Sequence, residues 1–174
     1  MNKHVTSVSY SDVDFLIQSQ YVVSGVYLHI QKDSKNFVFE RETLPHLHLG
    51  DLLEQTFNCK ALEAFSVVLV MNKRDFAPDV CKKIADLTDT AFPASGNLAL
   101  SLNGAISSKV IDTAALRLLP KGIQDRMTSY GICALSFVEQ GRTQLLISPD
   151  LLVRKFFSLG LLTGRKLHEE NKHS

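Results

Sequence analysis

Two histidines in an otherwise alternating run are the residues best placed for metal chemistry. In Leu44-Pro45-His46-Leu47-His48-Leu49, the leucines at 47 and 49 fall on one face of a strand and the histidines on the other. Side chains at i and i+2 project together, within reach of one ion, and His29 on a neighbouring strand is the candidate third ligand. The simpler expectation is that His46 and His48 face solvent opposite the leucines, and neither metal nor cofactor is expected. Asp12/Asp14 and Asp86/Asp89 are carboxylate pairs of the kind used in acid–base work, but both lie in polar stretches and are expected on solvated faces. Cys59, Cys81 and Cys133 lack CxxC spacing and have no nearby histidine to activate a thiolate, so they are expected to be packing residues. The chain contains no GxGxxG, GxxxxGK[ST] or GxSxG motif. No catalytic constellation emerges, and an enzyme is not expected. A small β-barrel that binds a ligand or metal, or an enzyme, using the His46/His48 face is the alternative.

The elements that position these residues are short strands. Residues 1–11 read as a flexible polar leader. Phe15–Ile17 and Tyr21–Ile30 read as strands around a turn at Gln18-Ser19-Gln20, the second bulged at Gly25. Phe37–Glu40 and the Leu44–Leu49 run follow, and Gly50-Asp51 opens a helix to about Phe57. Ala64–Asn72 is a continuous apolar run that suits a fully buried strand. Asp79–Leu87 has Val80, Ile84 and Leu87 at helical spacing. Asn97–Leu102 and Ala105–Ile111 flank Asn103-Gly104, a strong hairpin signal. Ile123–Ser129 reads as a polar connection. Gly131–Val138 and Thr143–Ile147 form a hairpin around Glu139-Gln140-Gly141-Arg142. Ser148-Pro149-Asp150 then supplies a cap, a first-turn proline and an acidic residue for the helix dipole. An Asp-Leu-Leu-x-x-x-Phe core occurs at Asp51–Phe57 and again at Asp150–Phe156, each after a strand, which suggests two related β units. Nine or ten short strands predict a mainly β sandwich or pair of barrels, not a doubly wound α/β sheet.

Bulk composition fits this. The 174 residues suit one domain, expected over 12–162, with a first β subdomain at 15–63, a second at 64–157 and a polar tail at 163–174. The hydrophobic fraction of 45% can fill a core, and a net charge of +1 argues against a general grip on nucleic acid. Lys82-Lys83 and Arg154-Lys155 have no interleaved aromatics to stack bases. An odd cysteine count without disulfide spacing, no apolar signal region and no apolar run of 18 residues together suggest the cytoplasm, without membrane insertion. Leu151–Leu162 holds more apolar residues than one helical stripe uses. It is expected either to be wedged between subdomains or to meet a partner or a second copy, with Phe157 at the contact.

Three stretches resemble the CheW-like domain, the fold of the bacterial chemotaxis coupling protein and of the regulatory domain of its histidine kinase. Phe15–Ile30 is similar to that family's opening pair of strands. Leu44–Leu53 is similar to its proline-led closing strand, with Pro45, Leu49, Leu52 and Leu53 at matching positions. Gly131–Leu152 is similar to its final hairpin and helix start, with Gln140-Gly141-Arg142 and Asp150-Leu151-Leu152 matching. Where the family carries an Asn-Leu-Arg-Gly segment before the proline, this chain has Phe39-Glu40-Arg41-Glu42-Thr43, which points to a divergent member. The resemblance implies two interlocked small SH3-like β-barrels and a non-catalytic signalling adaptor. Its partners would be a chemoreceptor, a histidine kinase regulatory domain, or both. It also implies that Leu49, Asp51, Leu52, Gly141 and Arg142 lie near inter-barrel or partner surfaces.

Overall fold

The computed structural model describes residues 1–10, 12–31, 36–49, 64–72, 75–87, 97–137 and 141–159. They carry β1 (Asn2–Tyr10), β2 (Val13–Gln18), β3 (Val22–Gln31), β4 (Asn36–Phe39), β5 (Glu42–His48), β6 (Ala64–Asn72), α1 (Pro78–Leu87), β7 (Asn97–Leu102), β8 (Ala105–Asp112), β9 (Arg117–Leu118), α2 (Lys121–Thr128), β10 (Ile132–Phe137), β11 (Thr143–Ile147) and α3 (Pro149–Ser158). The protein is mainly β: two curled sheets and a few short helices. One sheet runs β8-β1-β2-β11-β10-β9 and the other β3-β6-β7-β5-β4.

The two orders repeat one plan. In each sheet an antiparallel trio (β8-β1-β2 or β3-β6-β7) meets a hairpin (β10-β11 or β4-β5) through one parallel pairing. Along the chain, β1 to β5 correspond in turn to β6, β7, β8, β10 and β11. The halves exchange strands. β1 and β2 pair with strands of the second half, and β6 and β7 pair with strands of the first. The expected boundary at 63/64 precedes β6, which lies in the five-stranded sheet beside β3.

Both sheets bury one face in a common core. Val8, Ile17 and Ile147 come from the first sheet and Leu47, Val67, Leu69, Met71, Leu98, Leu100 and Leu102 from the second. Phe76 and the α1 residues Val80 and Ile84, with Leu152, Val153 and Phe156 of α3, complete it. Phe156 is 1% exposed, and cutting it to alanine would cost about 3–5 kcal/mol in lost burial and a residual cavity. The five-stranded sheet has a second buried face, where Phe37, Leu44, Val68, Val70 and Ala99 cluster. Coverage on both sides explains why the Ala64–Asn72 run is continuous rather than alternating: Val67 to Met71 are all fully buried.

Three sequence expectations are corrected. Residues 2–10 are not a leader but β1, held between β2 and β8, with Val5, Ser7 and Val8 fully buried. The stretch is polar, but its valines and threonine suit a strand. Asn103-Gly104 does not close a hairpin. It carries the chain from β7 in one sheet to β8 in the other. Gly104 has φ +142°, and a Cβ there would stand 2.5 Å from the Ser9 carbonyl oxygen, so the position requires glycine. Finally, 121–128 is helix rather than connection, started by Pro120 at its N-cap.

Candidate functional site

The first candidate is a polar row on the first sheet. Register sets Ser136 of β10, Gln144 of β11, Asp14 of β2 and Ser9 of β1 side by side. Asp14, expected on a solvated face, has a side chain only 2% exposed. It is held there by two cations. Lys109 of β8 donates from Nζ to Oδ2 at 2.8 Å, and Arg142 donates from Nη2 to Oδ1 at 2.6 Å. Gln144 Nε2 adds a longer bond of 3.5 Å to Oδ2. Burial alone would raise the Asp14 carboxyl, but the hydrogen bonds from Arg142, Lys109 and Ser9, with the Lys109 charge, outweigh it and hold the group well below the usual carboxylate range. Asp12 instead contributes its backbone carbonyl, which accepts from Thr143 N–H at 2.9 Å. The sequence signal for this site was available: Asp14 is a lone charge among Val13, Phe15, Leu16 and Ile17, where a buried strand position needs a partner.

The histidine pair is real as geometry but does not face solvent. His46 and His48 are 8% and 5% exposed, with ring centroids 4.0 Å apart. They point onto the second buried face beside Phe37, whose ring centroid is 6.1 Å from that of His46. Ser101 Oγ of β7 lies 3.3 Å from the Leu47 carbonyl oxygen and shares a 2.7 Å hydrogen bond with His48 Nδ1 whose direction follows the histidine tautomer. The side chain of His29 lies outside the described residues. No three His, Cys, Asp or Glu side chains converge on one point among the described residues. Both rings pack on this buried face, and His48 is hydrogen-bonded to Ser101.

A third junction surrounds the start of α3. Ser148 caps the helix, its Oγ accepting from Leu151 N–H, and Pro149 and Asp150 fill the first turn as expected. Asp150 does more than favour the dipole. It accepts from Ala77 N–H at 2.7 Å, just ahead of α1, and from the Tyr21 hydroxyl at 3.2 Å. Burial, then the Asp150 charge, raises the Tyr21 phenol, which keeps it a neutral donor. Arg154 pairs with Asp79 across α3 and α1, and Lys155 lies over the Tyr130 ring at 5.2 Å.

The remaining expected residues separate. Leu49 is buried in the core between the sheets. Gly141 is exposed at the turn with φ +73°, and Arg142 follows it into the Asp14 site. Phe157 is half-buried against the common core, while Arg154 and Lys155 lie on the less buried side of the helix. Asp51, Leu52 and the 51–57 copy of the Asp-Leu-Leu-x-x-x-Phe core lie outside the described residues, as do Cys59 and Asp89. Cys81 and Cys133 are partly buried; burial raises the Cys133 thiol, which suits packing rather than nucleophilic use.

These features define a mainly β, two-subdomain protein of CheW-like fold, whose polar sites are built between strands from different halves of the chain. The fold matches a solved structure, the scaffolding protein TtCheW from Thermoanaerobacter tengcongensis, with a TM-score of 0.54, covering 87% of this chain and 88% of that one at 10% identity. No protein-family model matches the chain, and no curated protein matches it in sequence. At this identity the likeness establishes the fold. No helix among the described residues is long and apolar enough to cross a membrane.

Proposed function

We propose that the protein is a non-catalytic signalling adaptor, working in the cytoplasm, that links a chemoreceptor to a histidine kinase or a related regulator. The observation that carries this reading is the shared architecture with a scaffolding protein over nearly the full length of both chains. The surface supports it. The strands β3 and β8 are each an edge strand of their sheet and present Val23, Tyr27 and Leu28 on one and Val110 on the other, all exposed. The Tyr27 hydroxyl donates to the Ile106 carbonyl at 3.3 Å and accepts from Ile106 N–H at 2.7 Å, which ties the two edges into one surface. Exposed apolar side chains along sheet edges suit protein docking. Gly141, Arg142 and Phe157, with Leu49, Asp51 and Leu52, are the proposed contact residues, Leu49 from its place in the core.

The test is a pull-down from the source cell with tagged protein and identification of the captured proteins by mass spectrometry. A chemoreceptor or histidine kinase is the expected catch, reduced by a Val23→Glu, Leu28→Glu double variant. Capture of neither class, with the tagged protein folded, overturns the coupling reading.

A further inference from the structure

The first sheet has a second face, turned away from the common core. Register places Val5, Ser7 and Ser9 of β1, Asp14 and Leu16 of β2, Ser107 and Lys109 of β8 and Gln144 of β11 on it. Lys109 stands opposite Val5, whereas Asp14 stands opposite Ser9, so the lysine side chain must cross Ser7 to reach the carboxylate. Ser7 is fully buried, and its hydroxyl finds no hydrogen-bond partner among the described residues. A buried hydroxyl left without a partner, on the same face as and between the register positions of Lys109 and Asp14, is a costly arrangement for a site with only a packing role.

Among the described residues the charges do not balance either: one buried carboxylate faces two cations, whose side chains remain 35% and 34% exposed. A guanidinium has five N–H donors and an ammonium three. Among the described residues Arg142 makes one bond, through Nη2 to Asp14, and Lys109 makes one, through Nζ. Asp14 fixes both head groups in place, which removes most of the ordering entropy that a flexible Lys–Arg pair would lose on binding. At the neighbouring Gly141 an added Cβ would meet nothing within 4 Å.

We propose that Lys109 and Arg142, held on Asp14, form a recognition point for a carboxylate on an acidic peptide segment of a protein partner. A planar fork beside a single ammonium matches a carboxylate, and the adjacent Asp14 charge disfavours a dianion such as phosphate more than a monoanion. The anion site stands on its own geometry. That the carboxylate belongs to a protein rests on the adaptor reading.

The test uses the full chain, isotopically labelled, and a short blocked glutamate-rich peptide, with its glutamine counterpart and acetate as controls. Amide and side-chain N–H signals are followed by NMR. The glutamate peptide is expected to shift Ser9, Asp14, Lys109, Arg142 and Thr143, while the glutamine peptide leaves them unmoved. Binding should weaken with added salt and fall about tenfold in Arg142→Gln and in Lys109→Gln, each checked for a wild-type spectrum elsewhere. Absence of shifts at these signals at millimolar glutamate peptide, or equal shifts from the glutamine peptide, overturns the site. Equal binding of acetate at matched carboxylate concentration overturns the peptide assignment, because the site would then take a free small anion. Since neither receptor nor kinase is present, failure here leaves the pull-down result independent, and the reverse also holds.

Discussion

Asp14 shows how one residue can set a measurable property of the whole chain. Its folded-state carboxyl titrates well below the ordinary value because Arg142, Lys109 and Ser9 hold the ionised form. A depressed carboxyl stabilises the fold above its unfolded value, about pH 4, and that contribution is lost as pH falls toward the folded value. Thermal stability should therefore drop as pH is lowered from 5 to 2. In Asp14→Asn, which leaves two cations without their buried anion and should cost about 2–4 kcal/mol at pH 7, the same titration should be flatter. Melting curves across that range check both; a variant with the wild-type slope would remove Asp14 as the cause. A second residue-scale effect sits between β4 and β5. Glu40 and Arg41 make a two-residue turn with φ of 48° and 70°, a conformation that favours Asn-Gly. Glu40→Asn combined with Arg41→Gly should relieve strain and add about 1 kcal/mol, raising the melting temperature by about 2–4 °C. This turn was hidden in the sequence because neither residue carries a turn signal.

At the scale of elements, legibility followed how local the determinants are. The start of α3 was readable in full, since Ser148, Pro149 and Asp150 act within one turn of their own helix. The β10–β11 hairpin and the buried β6 were readable for the same reason. The failures were questions of which strand pairs with which. Asn103-Gly104 has the right chemistry for a hairpin, but β8 finds β1 and β7 finds β5 and β6. The histidines show the same limit: their alternation was correctly read, but whether a strand face meets solvent depends on a second layer that a single strand does not encode. The crossing at 104 is correspondingly intolerant. Gly104→Ala would press a methyl into the Ser9 backbone of β1, whose own pairings leave it no room to retreat. It should cost about 2–4 kcal/mol, more than Gly122→Ala, where the added methyl meets nothing within 4 Å. Chemical denaturation of both variants checks the contrast.

The whole molecule is held together by the exchange of strands between its halves. The duplicated Asp-Leu-Leu-x-x-x-Phe core hinted at two units, and the matching strand orders carry that repeat. What the sequence did not disclose is that each unit gives its first two strands to the sheet of the other. β1 and β2 lie between β8 and β11, and β6 and β7 lie between β3 and β5. Cutting the chain near residue 63 would therefore strip β1 of β8 and β6 of β3, pairings within each trio, and β2 of β11 and β7 of β5, the pairings that join each trio to its hairpin. A fragment of 1–63 would expose Leu16, Leu44 and Leu47, and a fragment of 64–174 would expose Val67 to Met71 and Leu98 to Leu102, all buried in the intact protein. Neither has a core it can close alone, so both should be unfolded or aggregated when isolated. Mixed at equal concentration, they should recover the β-sheet circular dichroism of the intact chain, because the pairing surfaces are complementary and complete. Independent folding of either fragment, with a cooperative melt of its own, would show that the exchange is not what makes the two sheets one unit. For the intact chain a single unfolding transition is expected, since the two sheets bury their inner faces in one common core and neither can be lost without exposing the other.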